Sequence, residues 1–230
     1  MKNSCIRYEV YKLSSLTAVL DGTNELVREG ANANEILIPK MSMQGLADYN
    51  KNTGYVAGDV TLDYETKKCA YDRGRMFNVD AMDNIESAGI AFGRLSGEFL
   101  RTQVVPELDA YRLAAYAQIA GVTTVKGVLA NGKEALAALR AARGKIENAE
   151  ANLATCYLFI NPTVYGMIED LDTTASKKAI EGFAGIVKVP SGRFYSKVKL
   201  NASGAGGFAK DTGGVAMNFL IVDKQSAIQY

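Results

Sequence analysis

The sequence predicts an α+β fold, and three observations predict it. One helical stretch is far longer than its neighbours, two alternating strands flank a turn-rich tip, and the C-terminal half alternates short strands with short helices. Read in order, residues 1–34 are expected to form an N-terminal arm. Leu13, Leu16, Val19 and Leu20 suggest one or two helical turns, Asp21-Gly22-Thr23-Asn24 a turn, and residues 29–34 are small and polar, more like an arm than part of a core.

Residues 35–80 are expected to form an extended hairpin. Ile36, Ile38 and Lys40 alternate with Leu37, Pro39 and Met41, and the proline restricts this segment to an edge or irregular strand. A tip containing Gly45, Gly54 and Gly58 follows. The return strand from Val60 to Cys69 places Val60, Leu62, Tyr64 and Thr66 on one face and Thr61, Asp63, Glu65 and Lys67 on the other. An isolated two-stranded hairpin is marginal in water. This one therefore needs a partner, either another part of the chain or another copy of it.

Residues 81–119 are expected to form a spine. Ile85, Ala88, Phe92, Leu95 and Phe99 recur at helical spacing behind Asp80 and Asp83, so a helix from Asn84 to Ile119 would be roughly 54 Å long. A compact chain of this length is only about 45 Å across. Gly89, Gly93 and Gly97 share one face at four-residue intervals, which predicts a close neighbour there, from a strand of the same chain or from another subunit. Pro106 predicts a bend between Thr102 and Val105.

Residues 120–230 are expected to form an αβ domain. A helix spans Lys133–Lys145, a buried strand Tyr157–Ile160, and Asn161-Pro162 caps a helix from Thr163 to Leu171. A second helix runs from the Asp172-Thr173 turn to about Phe183. Strands follow at Gly185–Val189 and Met217–Val222, on either side of a glycine-rich stretch at 201–214.

Composition excludes several kinds of function. The 230 residues include no histidine, which removes histidine-based catalysis and metal binding. The glycine-rich stretch lacks the ending of a phosphate loop, and Glu169, Asp170 and Asp172 are adjacent in sequence rather than converging across a cleft. A net charge of +1 provides no basic field for nucleic acid, and no apolar run is long enough for a membrane span or a signal peptide. Cys5, Cys69 and Cys156 suit reduced thiols of an intracellular chain. No catalytic residue, cofactor or metal is expected, and the chain is read as a non-enzyme.

The run ILIPKMSMQGLADY (Ile36–Tyr49), with Gly54-Tyr55-Val56 and Gly58-Asp59-Val60-Thr61, resembles the extended loop of tailed-bacteriophage major capsid proteins. Asp72-Arg73-Gly74-Arg75, Val79-Asp80, Met82-Asp83, Gly97-Glu98-Phe99 and the segment Val105–Arg112 look like that family's approach to its spine helix. Phe159–Leu171, Val189-Pro190-Ser191, Arg193-Phe194-Tyr195 and Asn218–Lys224 are also similar in order and spacing.

The resemblance implies a Hong Kong 97-like capsid fold. It has an arm, an extended loop, a peripheral domain with a spine, and an axial domain at 120–230 that looks cut short before the family's last strands. It also implies a structural shell protein of a tailed double-stranded DNA bacteriophage, assembled in the bacterial host cytoplasm into an icosahedral virion capsid. The implied partners are other copies in pentamers and hexamers, a portal and a separate scaffold, with the DNA enclosed but not read. An encapsulin-type compartment, or a small cytosolic ligand-binding or enzyme domain, are the alternatives. Tyr49, Tyr55, Asp72, Arg73, Arg75, Gly89, Gly93 and Gly97 are the expected subunit-interface residues.

Overall fold

The computed structural model describes residues 15–22, 28–29, 35–68, 71–77, 90–201 and 206–227. The chain divides into two units, one comprising Met1–Gly22 with Val79–Tyr230 and the other Thr23–Asn78.

The larger unit is built around strand β4 (Cys156–Ile160), which lies between β5 (Gly185–Lys188), parallel to it, and β8 (Phe219–Asp223), antiparallel to it. Side chains alternate across a strand, so the run CYLFI feeds two cores. Leu158 and Ile160 enter one with Ala135 and Leu139 of α3 (Gly132–Asn148), Val164 and Ile168 of α4 (Pro162–Glu169), and Ala179 of α5 (Thr174–Ile180). On the opposite face Phe159 packs with Leu20, Leu113, Val189 and Phe194. Leu113 comes from α2 (Val105–Ala117), which follows α1 (Ile90–Phe99) and a π-helical turn, Leu100–Val104. A small pair, β6 (Val198–Leu200) and β7 (Phe208–Lys210), joins the unit as a separate antiparallel ladder.

Local chemistry explains the helix boundaries. Asn131 Oδ1 accepts the Glu134 amide at 3.0 Å, Asn161 Oδ1 accepts the Thr163 amide at 2.9 Å, and Thr173 with Ser176 forms a reciprocal capping box. Pro162 occupies the first position of α4, where its missing N–H is harmless.

Several expectations are corrected. The Hong Kong 97-like fold is expected to show a long spine helix from Asn84 to Ile119, bent near Thr102–Val105. Among the described residues the helical run is instead divided by the π turn and ends at Ala117. The cause is Pro106: it has no N–H to offer the carbonyl four residues earlier, that of Thr102, and just before it the ladder widens to the i→i+5 pattern, the Val105 amide donating to the Leu100 carbonyl. The expected start at Asp80–Gly89 lies outside the described residues. The sheets are short and open. The Leu16–Leu20 segment is not a free arm, because its single 3₁₀ turn carries Leu20, fully buried, into the second core.

The smaller unit is a three-stranded sheet in the order β1 (Arg28–Glu29), β2 (Glu35–Met43), β3 (Val60–Lys68), antiparallel throughout. Here β2 is regular despite Pro39, pairing with β3 without a bulge from Glu35↔Lys68 to Met43↔Val60, while β1 reaches only Ile36 and Leu37, so that among the described residues Pro39 has a strand partner on one side alone.

Candidate interaction surface

The register of β2 and β3 determines which side chains share a face. Leu37↔Thr66, Pro39↔Tyr64, Met41↔Leu62 and Met43↔Val60 lie on one side of the ribbon; Ile36↔Lys67, Ile38↔Glu65, Lys40↔Asp63 and Ser42↔Thr61 lie on the other. The second face is largely satisfied by charge. Lys40 opposes Asp63, and Lys67 Nζ is 2.5 Å from Glu65 Oε1, which holds the Glu65 carboxyl below its ordinary pKa through the hydrogen bond and charge of Lys67. The first face is apolar and largely exposed: Met41, Met43, Val60 and Leu62 are 53–67% exposed, and Tyr64, with the Arg28 guanidinium 5.7 Å over its ring, 45%. Beyond Ile36 and Leu37, where β1 pairs, this sheet is a two-stranded ribbon among the described residues, and a stripe of this kind on it has no core of its own to bury it.

At the far end the ribbon opens and closes again. The Gln44 amide donates to the Asp59 carbonyl at 3.3 Å, and Asn50 and Gly54 then exchange backbone hydrogen bonds around a turn in which Asn50 Oδ1 accepts the Asn52 amide at 2.8 Å. Gly54 has φ +79°, a conformation that suits glycine. This closure brings Tyr49 and Tyr55 together, ring centroids 5.0 Å apart and planes tilted by 49°, with both side chains largely exposed. Leu46 and Val56 are exposed beside them in sequence.

The other expected interface residues fare differently. Asp72, Arg73 and Arg75 are exposed in the irregular segment after β3. Gly93 lies within α1, and Gly89 lies outside the described residues. Gly97 is exposed, and a Cβ built on it meets nothing within 4 Å, so the close strand inferred from the glycine spacing is not present there. The tight glycines are elsewhere. At Gly132 a Cβ would lie 2.2 Å from the Met167 carbonyl oxygen, and at Gly214 2.7 Å from that of Lys197. Sequence reasoning missed a second set of uncovered apolar side chains in the larger unit: Ile119, Val122, Val125 and Val128 in the link between α2 and α3, and Val215. The signal for it was the valine at every third position of the link, Val122, Val125 and Val128.

Among the described residues no group of three or more His, Cys, Asp or Glu side chains could hold a metal ion, and no helix is long and apolar enough to cross a membrane. A shallow cleft of about 390 Å³ between α4 and α5 is lined by Tyr165, Ile168, Glu169, Asp172, Lys177 and Ile180. Its charges are already engaged, since Lys177 Nζ is 2.8 Å from Asp172 Oδ1.

No family model, curated protein or solved structure matches the chain. The resemblance to phage capsid proteins is therefore overturned. The Hong Kong 97-type fold, the icosahedral or encapsulin-type shell function and the virion assignment are withdrawn with it. The portal, scaffold and enclosed DNA rested on that resemblance alone.

Proposed function

We propose that this chain is a non-enzymatic protein-interaction module that docks the apolar face of its β2–β3 ribbon onto another copy of itself. The uncovered stripe of Met41, Met43, Val60, Leu62 and Tyr64 carries this reading, because water-exposed apolar area in fixed register is relieved by association. Two features favour a second copy over a nucleic acid or an anionic membrane. Residues 35–77 contain six acidic and six basic side chains, which gives no net field to attract a polyanion. The larger unit also exposes apolar side chains of its own, Ile119, Val122, Val125 and Val128, which supports a head-to-tail contact between copies.

The test is light scattering across a range of protein concentrations, with the wild type beside Leu62→Asp. A mass that rises above the monomer and returns to it in the variant, with the melting temperature unchanged, supports the reading. A wild type that stays monomeric throughout, or an oligomer indifferent to Leu62→Asp, overturns it.

A further inference from the structure

Asn131-Gly132, where the link from α2 meets α3, is the dipeptide most prone to spontaneous deamidation. In that reaction the backbone nitrogen of the second residue attacks the side-chain carbonyl carbon of the first, and a Cβ on the second residue would hinder the approach. Packing imposes glycine at this position. A Cβ on Gly132 would lie 2.2 Å from the Met167 carbonyl oxygen and 3.0 Å from Leu171 Cγ. Gly132 is also the first residue of α3, so its N–H has no acceptor within the helix, and Asn131 is exposed to the water and base that the chemistry consumes. The reacting groups are therefore adjacent and accessible.

Glu134 holds the carboxamide at both ends. Its amide donates to Asn131 Oδ1 at 3.0 Å, its Oε1 accepts from Asn131 Nδ2 at 3.0 Å, and its Oε2 accepts the Ala130 amide at 2.9 Å. Ring closure requires the carboxamide to turn toward the Gly132 nitrogen, which breaks both of its bonds to Glu134, one of them to a charged acceptor. We propose that Asn131 is a deamidation site whose rate is set by the Glu134 carboxylate. The Gly132 nitrogen loses its proton to solvent base, bonds to Asn131 Cγ and expels the side-chain nitrogen as ammonia; water then opens the cyclic imide to aspartate or isoaspartate. Water enters, ammonia leaves, and nothing is oxidised or reduced. Glu134 is a positioning residue in this scheme. Either product sets a carboxylate oxygen against Glu134 Oε1 where a donor stood, and isoaspartate adds a methylene to the backbone beside the tight contact with Met167.

Peptide mapping by mass spectrometry tests this on the whole chain, held at mildly alkaline pH and sampled over days, with aspartate and isoaspartate quantified at position 131. Wild type is compared with itself in urea and with Glu134→Ala and Glu134→Gln. The folded wild type should deamidate at Asn131 about tenfold more slowly than the chain in urea, and Glu134→Ala should close most of that gap. Glu134→Gln keeps one acceptor oxygen and covers the case in which Glu134→Ala does not fold; its rate should lie between those of the folded and unfolded wild type. Circular dichroism of each sample identifies the folded ones. Folded Glu134 variants that deamidate no faster than the wild type, or a folded wild type that deamidates as fast as the chain in urea, would overturn the proposal.

Discussion

Pro39 stands directly across from Tyr64 in the ribbon, at a position where the backbone of β2 faces away from β3. Polarity alternates along an antiparallel ladder, and the Gln44 amide donates to Asp59 just beyond the paired strands. Even-numbered residues of β2 therefore turn their N–H toward β3 and odd-numbered ones away. A proline at 39 removes a donor the β2–β3 ladder does not use; one residue later it would remove a donor the ladder needs. Lys40→Pro is expected to disrupt the ribbon, with loss of cross-strand NOEs between 36–43 and 60–67, whereas Pro39→Val preserves them. Intact cross-strand NOEs in Lys40→Pro would refute this register.

The glycines separate in the same physical way. Alanine at Gly97 enters open space on a helix and relieves the entropic penalty of glycine, so Gly97→Ala should stabilise the chain by about 0.5–1 kcal/mol. Alanine at Gly132 meets the Met167 carbonyl of α4, which can yield only if the two helices move apart. Gly132→Ala should destabilise by about 1–3 kcal/mol. Urea titrations of the two variants should move in opposite directions, and a shared direction would contradict the packing at one of the two sites.

What the sequence made legible was periodic or local. The alternation of Val60, Leu62, Tyr64 and Thr66 with charged neighbours predicts the two faces of the ribbon, and Asn161-Pro162 predicts the cap of α4, because each depends on residues within a few positions. What it hid was non-local. Nothing around Leu20 announces burial, since its partners Leu113, Phe159 and Phe194 lie more than ninety residues away. Asp109 reads as one more helical acid until Ser15 and Thr17 are seen folded onto it. The glycine spacing is uninformative for a related reason: a stripe of small residues permits close approach without requiring it, and among the described residues no other part of this chain approaches Gly97.

Cys156 gives a pH prediction. Burial raises its thiol pKa, the Asp223 carboxylate raises it further, and the hydrogen bond with Thr155 opposes them in part. Its S–H donates to the Asn152 carbonyl at 3.3 Å. Below the ordinary thiol pKa the group is protonated in both folded and unfolded chains and contributes no pH dependence. Above it the unfolded chain loses its proton first, so the folded state loses stability as pH rises toward the raised folded value. Melting temperatures followed from neutral to alkaline pH should fall more steeply for the wild type than for Cys156→Ala. Parallel curves would mean that the thiol is not held in its neutral form.

Leu20 offers the sharpest test of whether the N-terminal turn belongs to the core. The side chain is fully buried among Leu113, Phe159, Val189 and Phe194, all of them rigidly placed by α2, β4 and the segment after β5, so a cavity left there has little freedom to collapse. Leu20→Ala should therefore cost about 2–5 kcal/mol, a large fraction of the roughly 5–15 kcal/mol that holds a typical domain together. Leu16 lies on the same turn but is only partly buried and packs at the edge of the cluster, so Leu16→Ala should cost clearly less. Urea denaturation followed by far-UV circular dichroism measures both. Equal and small losses would show that the turn rests on the surface, whereas the predicted ordering requires that Leu20 be inserted and that Asp109, a few residues before Leu113 on the same helix, hold the backbone that carries it.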